Sequence, residues 1–263
     1  MVKAKTFVQK CYVGLICFLL YAPLVILFVC SFNNSKARTV WGGFTLRWYR
    51  GLFHNEEVIN AVTTSLLLTT MASLLATLLG TLVCLAMTSM KSRSVKLIEA
   101  TANIPLLNAD IVTGIAIMLL FARFVSLGFM SVFIAHVTLG LPYVILNVMP
   151  RFYQMDPNIY EAAQDLGASP IYAFFRVVLP EIFPGILAGF FLAFTISMDD
   201  FVVTYFTKGP GMNTISTMLY QQLRRGINPQ MYALSTLLFL VIMLLIGLSN
   251  RLSEFQMKEV PQR

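Results

Sequence analysis

EAAQDLGASPIYAFFRVVLP, residues 161–180, is a polar island between two long hydrophobic runs. Asp156-Pro157 precedes it and reads as a helix N-cap with proline at the first helical position, where the missing N–H has no intrahelical partner to lose. A helix then runs through Glu161, Ala162 and Ala163 and stops at Gly167, which can take the left-handed cap conformation. Ser169-Pro170 repeats the start signal, and a second short helix is expected to reach Leu179 and Pro180. The product is helix, sharp turn, helix, with small side chains where a second protein could approach closely. A loop that docks a soluble engine onto a membrane protein has this form; an amphipathic linker helix is the plainer alternative.

The flanking runs set the class. The chain has 263 residues, 57% hydrophobic and 12% charged, about half the roughly 25% charge of soluble domains. An aqueous core could not absorb so much apolar surface without leaving large exposed patches, so the chain is expected in a bilayer, as an all-α membrane protein. A helix needs about 20 apolar residues to cross the hydrocarbon, and six runs qualify: about 11–32, 61–90, 97–125, 129–149, 182–206 and 231–250, in one membrane domain covering 1–263. The first has Lys3, Lys5 and Lys10 in front of it but exceeds the h-region of a signal peptide, about 7–15 residues, so it reads as a retained span. Ala72, Ala76 and Gly80 in the second, and Gly185 and Gly189 in the fifth, are spaced for close helix contact. Pro105 makes the third irregular, with Asn108 and Asp110 following at membrane depth. Trp41, Trp48 and Tyr49 suit an aromatic belt at the outer headgroup level.

The net charge of +7 is spread singly and in pairs rather than on one face, which argues against nucleic-acid binding and fits loops facing anionic headgroups. With both termini cytoplasmic, the inner segments hold a thin majority of the Lys and Arg, including the short run Lys91-Ser92-Arg93-Ser94-Val95-Lys96. The loop 150–181 is then cytoplasmic.

No catalytic apparatus is written in the chain. It has no phosphate-binding G-x-x-x-x-G-K-[ST] loop, no G-x-S-x-G and no catalytic Cys–His signature, so it is expected to be no enzyme on its own. Cys11, Cys17, Cys30 and Cys84 show no metal spacing, and His54 and His136 are too isolated for a metal site. His136 lies within a span, where a hydrogen bond to a neighbouring helix is its expected use. The costly residues are the intramembrane acids, each about 2.5–3.5 kcal/mol to insert at the bilayer centre. Asp110 lies beyond Pro105; Asp199 and Asp200 lie roughly 25 Å along the fifth run at 1.5 Å per residue. Adjacent helical residues point about 100° apart, so both acids cannot face one path unless the helix breaks there. Phe201, Tyr205 and Phe206 follow, and Tyr143 and Tyr220 could line the same path. Carboxylates with aromatic faces suit an organic polycation, through charge pairing and cation–π contact. The same acids could instead pair with Arg123 or another base and merely tie helices together, and Asp110 could cap a re-entrant half-helix.

At the opening stretch the chain resembles the permeases of ABC importers, whose cytoplasmic loop carries EAA, three residues, Gly, nine residues, then Ile-x-Leu-Pro. Glu161, Ala162, Ala163, Gly167, Leu179 and Pro180 match; Val177 stands where the pattern has isoleucine. Phe44-Thr45-Leu46-Arg47-Trp48-Tyr49 is similar to a segment common after the first span of these permeases. Within them, SMDDFVVTYFTKGP (197–210), YEAAQDLGAS and NPQMYALSTLLFL (228–240) resemble the second permease subunit of spermidine/putrescine importers. NADIVTG (108–114) is similar too, although its proline falls earlier, at Pro105. The likeness runs from Thr39 to about Asn250.

It implies the type I ABC importer permease fold, with the Glu161 helix as a cytoplasmic coupling helix in a bacterial inner membrane. It also implies a second permease subunit, two ATPase subunits carrying ATP and Mg, and an extracytoplasmic polyamine-binding protein, with no cofactor on this chain. Asp110, Asp199, Asp200 and Tyr205 become the expected substrate path. Other cargo on the same machinery (ferric iron, opines, sulfate or phosphonate) is the nearest alternative, the acids arguing against anions. A proton-coupled secondary carrier using Asp110, or a membrane scaffold, would need no coupling loop.

Overall fold

The computed structural model describes residues 2–35, 40–124, 126–156, 158–225, 228–240 and 243. Among the described residues the chain is helical apart from short connections and an antiparallel bridge between Asn33 and Phe44. The helices are α1 (Val2–Ser31), α2 (Arg47–Leu52), α3 (Glu56–Thr88), α4 (Ser92–Leu107), α5 (Asp110–Phe124), α6 (Phe129–Gln154), α7 (Asn158–Asp165), α8 (Pro170–Ala173), α9 (Leu179–Asp199), α10 (Val202–Thr207) and α11 (Ile215–Arg225). Residues 229–240 are also helical. By length and apolar character, Tyr12–Ser31, α3, α6 and the continuous stretch Pro170–Asp199 can each cross a membrane, and α4 with α5 forms a fifth candidate bent by 107°. Most of the sixth expected run, 231–250, lies outside the described residues, as do Thr39 and Pro157.

Two compact units result, Met1–Ile59 with Leu219–Arg263, and Asn60–Met218. In the first, the expected aromatic belt is partly corrected. Trp41 is exposed, but Trp48 is buried and its indole N–H donates to the Asn33 carbonyl at 2.8 Å. The Tyr49 hydroxyl meets Ser31 Oγ at 2.7 Å. A buried indole needs a partner for its N–H, and the turn after α1 supplies one; the Asn33–Phe44 bridge holds that turn, with Phe32 stacked on Phe44 at 5.2 Å.

The second unit is organised by α6 against α9. A Cβ added at Gly189 would stand 3.1 Å from the Val144 Cα, and one at Gly185 would stand 2.8 Å from the Asn147 carbonyl oxygen. Hydrogen at these two positions therefore sets how near the two backbones come. Ala72 and Ala76 of α3 are fully buried in the same core, with Val144, Val148, Ile182 and Ala193.

The irregularity expected of the third span at Pro105 is present, although α4 runs on through the proline to Leu107 and the break falls at Asn108, which is extended (φ −88°, ψ 150°). Proline removes one donor yet leaves the following residues free to finish the turn. Pro180 does not end a helix either. A π-turn over Phe174–Val178 links α8 to α9 without interruption, the Leu179 N–H reaching back to the Phe174 carbonyl. The widened turn lies immediately before Pro180, so the proline falls in the first turn of α9. Finally, the run 182–206 is divided: α9 stops at Asp199, Asp200 is extended (φ −61°, ψ 121°), and α10 starts two residues later.

Candidate functional site

That division shapes a cleft of about 290 Å³ within the second unit. Pro105 and Leu106 at the end of α4, Asp110 at the start of α5, Leu139 and Tyr143 of α6, and Ile196, Asp199, Asp200, Phe201 and Val202 around the α9–α10 break contribute its walls. Asp110 thus faces the same space as the adjacent pair Asp199 and Asp200, 89 residues later, and none of the lining side chains among the described residues is basic. Because the helix breaks at Asp200, the adjacent acids escape the helical divergence that would send them to different sides.

The three acids differ in their surroundings. Asp200 is held: its Oδ1 accepts the Val203 N–H at 3.2 Å, and its Oδ2 accepts the Thr204 N–H at 2.8 Å and the Thr204 hydroxyl at 2.9 Å. It therefore caps α10, supplying acceptors for N–H groups that have no intrahelical partner. His136 Nε2 lies 3.5 Å from the same oxygen. Asp199 is exposed, and so is Asp110 in the first turn of α5, where the helix dipole favours a negative charge. Among the described residues neither is held by a hydrogen bond or an ion pair, to Arg123 or to any other base.

Tyr205 does not line the cleft; it is half-exposed on α10, its ring 5.3 Å from Phe201 and 5.8 Å from Phe206. Tyr143 does line it. Tyr220 belongs to the other unit, where the Arg224 guanidinium lies 4.9 Å from its ring centroid. The hydrogen bonding expected of His136 is present. Its partners, Ser197 and Thr204, could not be read from sequence because they lie 61 and 68 residues away.

The second candidate region is the hairpin of α7 and α8. Asp156 Oδ1 accepts the Asn158 N–H at 2.9 Å, as an N-cap should. Glu161 is exposed in the first turn of α7, Ala162 is exposed and Ala163 partly buried. At the far end Gly167 has φ +87°, its N–H bonds the Gln164 carbonyl at 2.8 Å, and the Ala168 N–H bonds the Ala163 carbonyl at 3.1 Å. These paired bonds make the Schellman ending that glycine accommodates without strain. Ser169 Oγ then accepts the Tyr172 N–H at 3.3 Å to start α8. Ala163, Leu166, Gly167, Ala168, Ser169 and Tyr172 surround an open depression, and Leu166 at its rim is 89% exposed. Leu179 and Pro180 open α9 behind it.

The family described as "Binding-protein-dependent transport system inner membrane component" matches residues 2–259. The chain is 37% identical over 227 residues to the putrescine transport system permease protein PotI of Escherichia coli K12, covering 83% of this chain and 81% of that one. It is 35% identical over 234 residues to the spermidine/putrescine transport system permease protein PotC of the same strain, covering 89% and 88%. The PotC of Haemophilus influenzae is 32% identical over 248 residues, covering 94% and 96%. A chain in the crystal structure of a bacterial ABC transporter involved in import of the acidic polysaccharide alginate superposes with a TM-score of 0.73 over 96% of both chains, at 16% identity, a likeness of fold. An all-α chain with several membrane-crossing helices, a Schellman-capped EAA hairpin and these relatives belongs to the inner-membrane permeases of binding-protein-dependent ABC importers.

Proposed function

We propose that this chain is a permease subunit of a polyamine importer and that the cleft at Asp110, Asp199 and Asp200 is its part of the cargo path. The observation that carries the reading is the gathering of three carboxylates, with Tyr143 and Phe201, around a space that no basic side chain lines among the described residues. A linear polyamine carries ammonium groups separated by short aliphatic stems. Carboxylates match the first by charge-assisted hydrogen bonds, and aromatic faces match both. The names of the relatives, which transport putrescine and spermidine, support the same cargo.

In this reading a second permease subunit completes the path, and an extracytoplasmic binding protein delivers cargo to it. Two ATPase subunits dock from the cytoplasm, where both termini also lie, and the α7–α8 hairpin is this chain's point of contact with them. ATP and Mg belong to those subunits; this chain holds no cofactor and catalyses no reaction. ATP binding draws the ATPase subunits together, the Glu161–Leu166 segment carries that movement into the membrane, and the cleft opens to the delivered cargo. Hydrolysis restores the inward-facing state. Transport then follows from a differential contact of ATPase with hairpin in two states, as any driven conformational change requires.

The test is uptake of labelled spermidine by cells making the whole complex, with and without this chain, in competition with putrescine and with ferric chelates. Uptake that depends on the chain and is blocked by putrescine supports the proposal. Uptake blocked by a ferric chelate instead would keep the machinery and replace the cargo.

A further inference from the structure

We infer that His136 is a positioning residue for the cargo path: it locks the α9–α10 break so that Asp200 serves as an internal anchor and Asp199 is left to meet cargo. The inference rests on the polycation reading above and assigns different work to two acids that are neighbours in sequence.

His136 is 2% exposed on α6, and both of its ring nitrogens are used. Nδ1 meets Ser197 Oγ at 2.5 Å, on the last turn of α9, two residues before Asp199. Nε2 meets Thr204 Oγ1 at 2.8 Å, in the first turn of α10. The imidazole therefore spans the break, one nitrogen on each side. One tautomer satisfies every group: the Ser197 hydroxyl donates to Nδ1, the Nε2–H donates to Thr204 Oγ1, and the Thr204 hydroxyl donates to Asp200 Oδ2 at 2.9 Å. Ser216 Oγ donates to the Asp200 backbone carbonyl at 2.8 Å and fixes the extended residue from another direction.

The consequence is a division of charge. With two backbone N–H groups and one hydroxyl on its carboxylate, and a side chain only 10% exposed, Asp200 is occupied. Asp199 precedes the break, exposed at the cleft, and its direction is set by where α9 stops. Substituting His136 frees the break, and Asp199 loses its fixed place without itself being altered. A residue that merely tied helices together would, when removed, lower the amount of working complex and nothing else.

The experiment uses the complete importer, with its ATPase and binding protein, reconstituted in vesicles, and reads spermidine delivered per ATP hydrolysed. His136→Leu is expected to lower that ratio about tenfold, the order of the two neutral hydrogen bonds to Ser197 and Thr204 that it removes, while binding-protein-stimulated hydrolysis continues. His136→Gln, which can keep the contact with Thr204, should recover most of it. Combined with Asp199→Asn, His136→Leu should add little further loss, because both act through one carboxylate. If His136→Leu fails to assemble, Thr204→Val removes the same bridge at nearly constant shape and is expected to give the same fall. Parallel loss of uptake and hydrolysis, an unchanged ratio, or losses that multiply with Asp199→Asn would overturn the inference while leaving the cargo assignment intact. An unsubstituted complex that takes up no spermidine overturns the cargo reading and the inference together.

Discussion

Asp199 and Asp200 carry the same functional group one residue apart, yet the chain treats them differently. Asp200 accepts from the first turn of α10 and Asp199 does not. Replacing an N-cap by alanine costs about 0.5–2 kcal/mol, whereas asparagine caps about as well as aspartate. Asp200→Ala should therefore lower the thermal unfolding midpoint of the purified complex, with Asp200→Asn close to the unsubstituted protein; identical midpoints for both would mean the cap contributes nothing. Asp199→Asn should leave the midpoint unchanged and cut spermidine uptake by about tenfold or more, the scale of one charge-assisted contact. Normal uptake there would remove Asp199 from the path.

At the scale of elements, the α7–α8 hairpin depends on one backbone conformation. A β-branched residue at Gly167 must adopt a left-handed φ at a cost of roughly 1–2 kcal/mol, so Gly167→Val should unwind the Schellman ending and tilt the rim that carries Leu166. Binding-protein-stimulated ATP hydrolysis is expected to fall severalfold while the ATPase still co-purifies; full stimulation would show that the turn is not part of the coupling. The α6–α9 pair offers the contrasting case. Gly189→Leu drives a side chain into the Val144 backbone, and since close-packed interiors do not yield by an ångström, the whole complex should fail to assemble. Recovery of intact, folded complex would show that the contact relaxes.

At the scale of the molecule, the proposed function divides the work between two parts: the acidic cleft takes the cargo and the exposed hairpin receives force. Their separation of roles implies that uptake stops when ATP is withheld even if a cargo gradient favours entry. Flux down the gradient without ATP would favour a secondary carrier, and Asp110→Asn would then abolish it. An acidic polysaccharide should not compete, although the alginate importer chain shares the fold, because fold places a path and the side chains along it select the cargo.

Composition alone required a bilayer, because 57% apolar residues have no other solvent. The hairpin was legible from local chemistry, since Asp156, Gly167, Ser169 and Pro170 act on residues within one turn of themselves. Gly185 and Gly189 likewise announced a close contact, though not that Val144 and Asn147 would be on the other side of it. What sequence could not supply was every feature made by residues distant in the chain. The exact break after Pro105, the π-turn that carries the helix through Pro180, and the burial of Trp48 against Asn33 each depend on which backbone groups packing leaves unpaired. The same holds for the acids: three carboxylates were visible as expensive, but only tertiary structure brought Asp110 into the cleft with Asp199 and Asp200 and set His136, bonded to Ser197 and Thr204, beside the second of that pair. Local propensity acts over a few residues, whereas the pairing of polar groups in an apolar interior is decided by whichever partner the fold brings within reach.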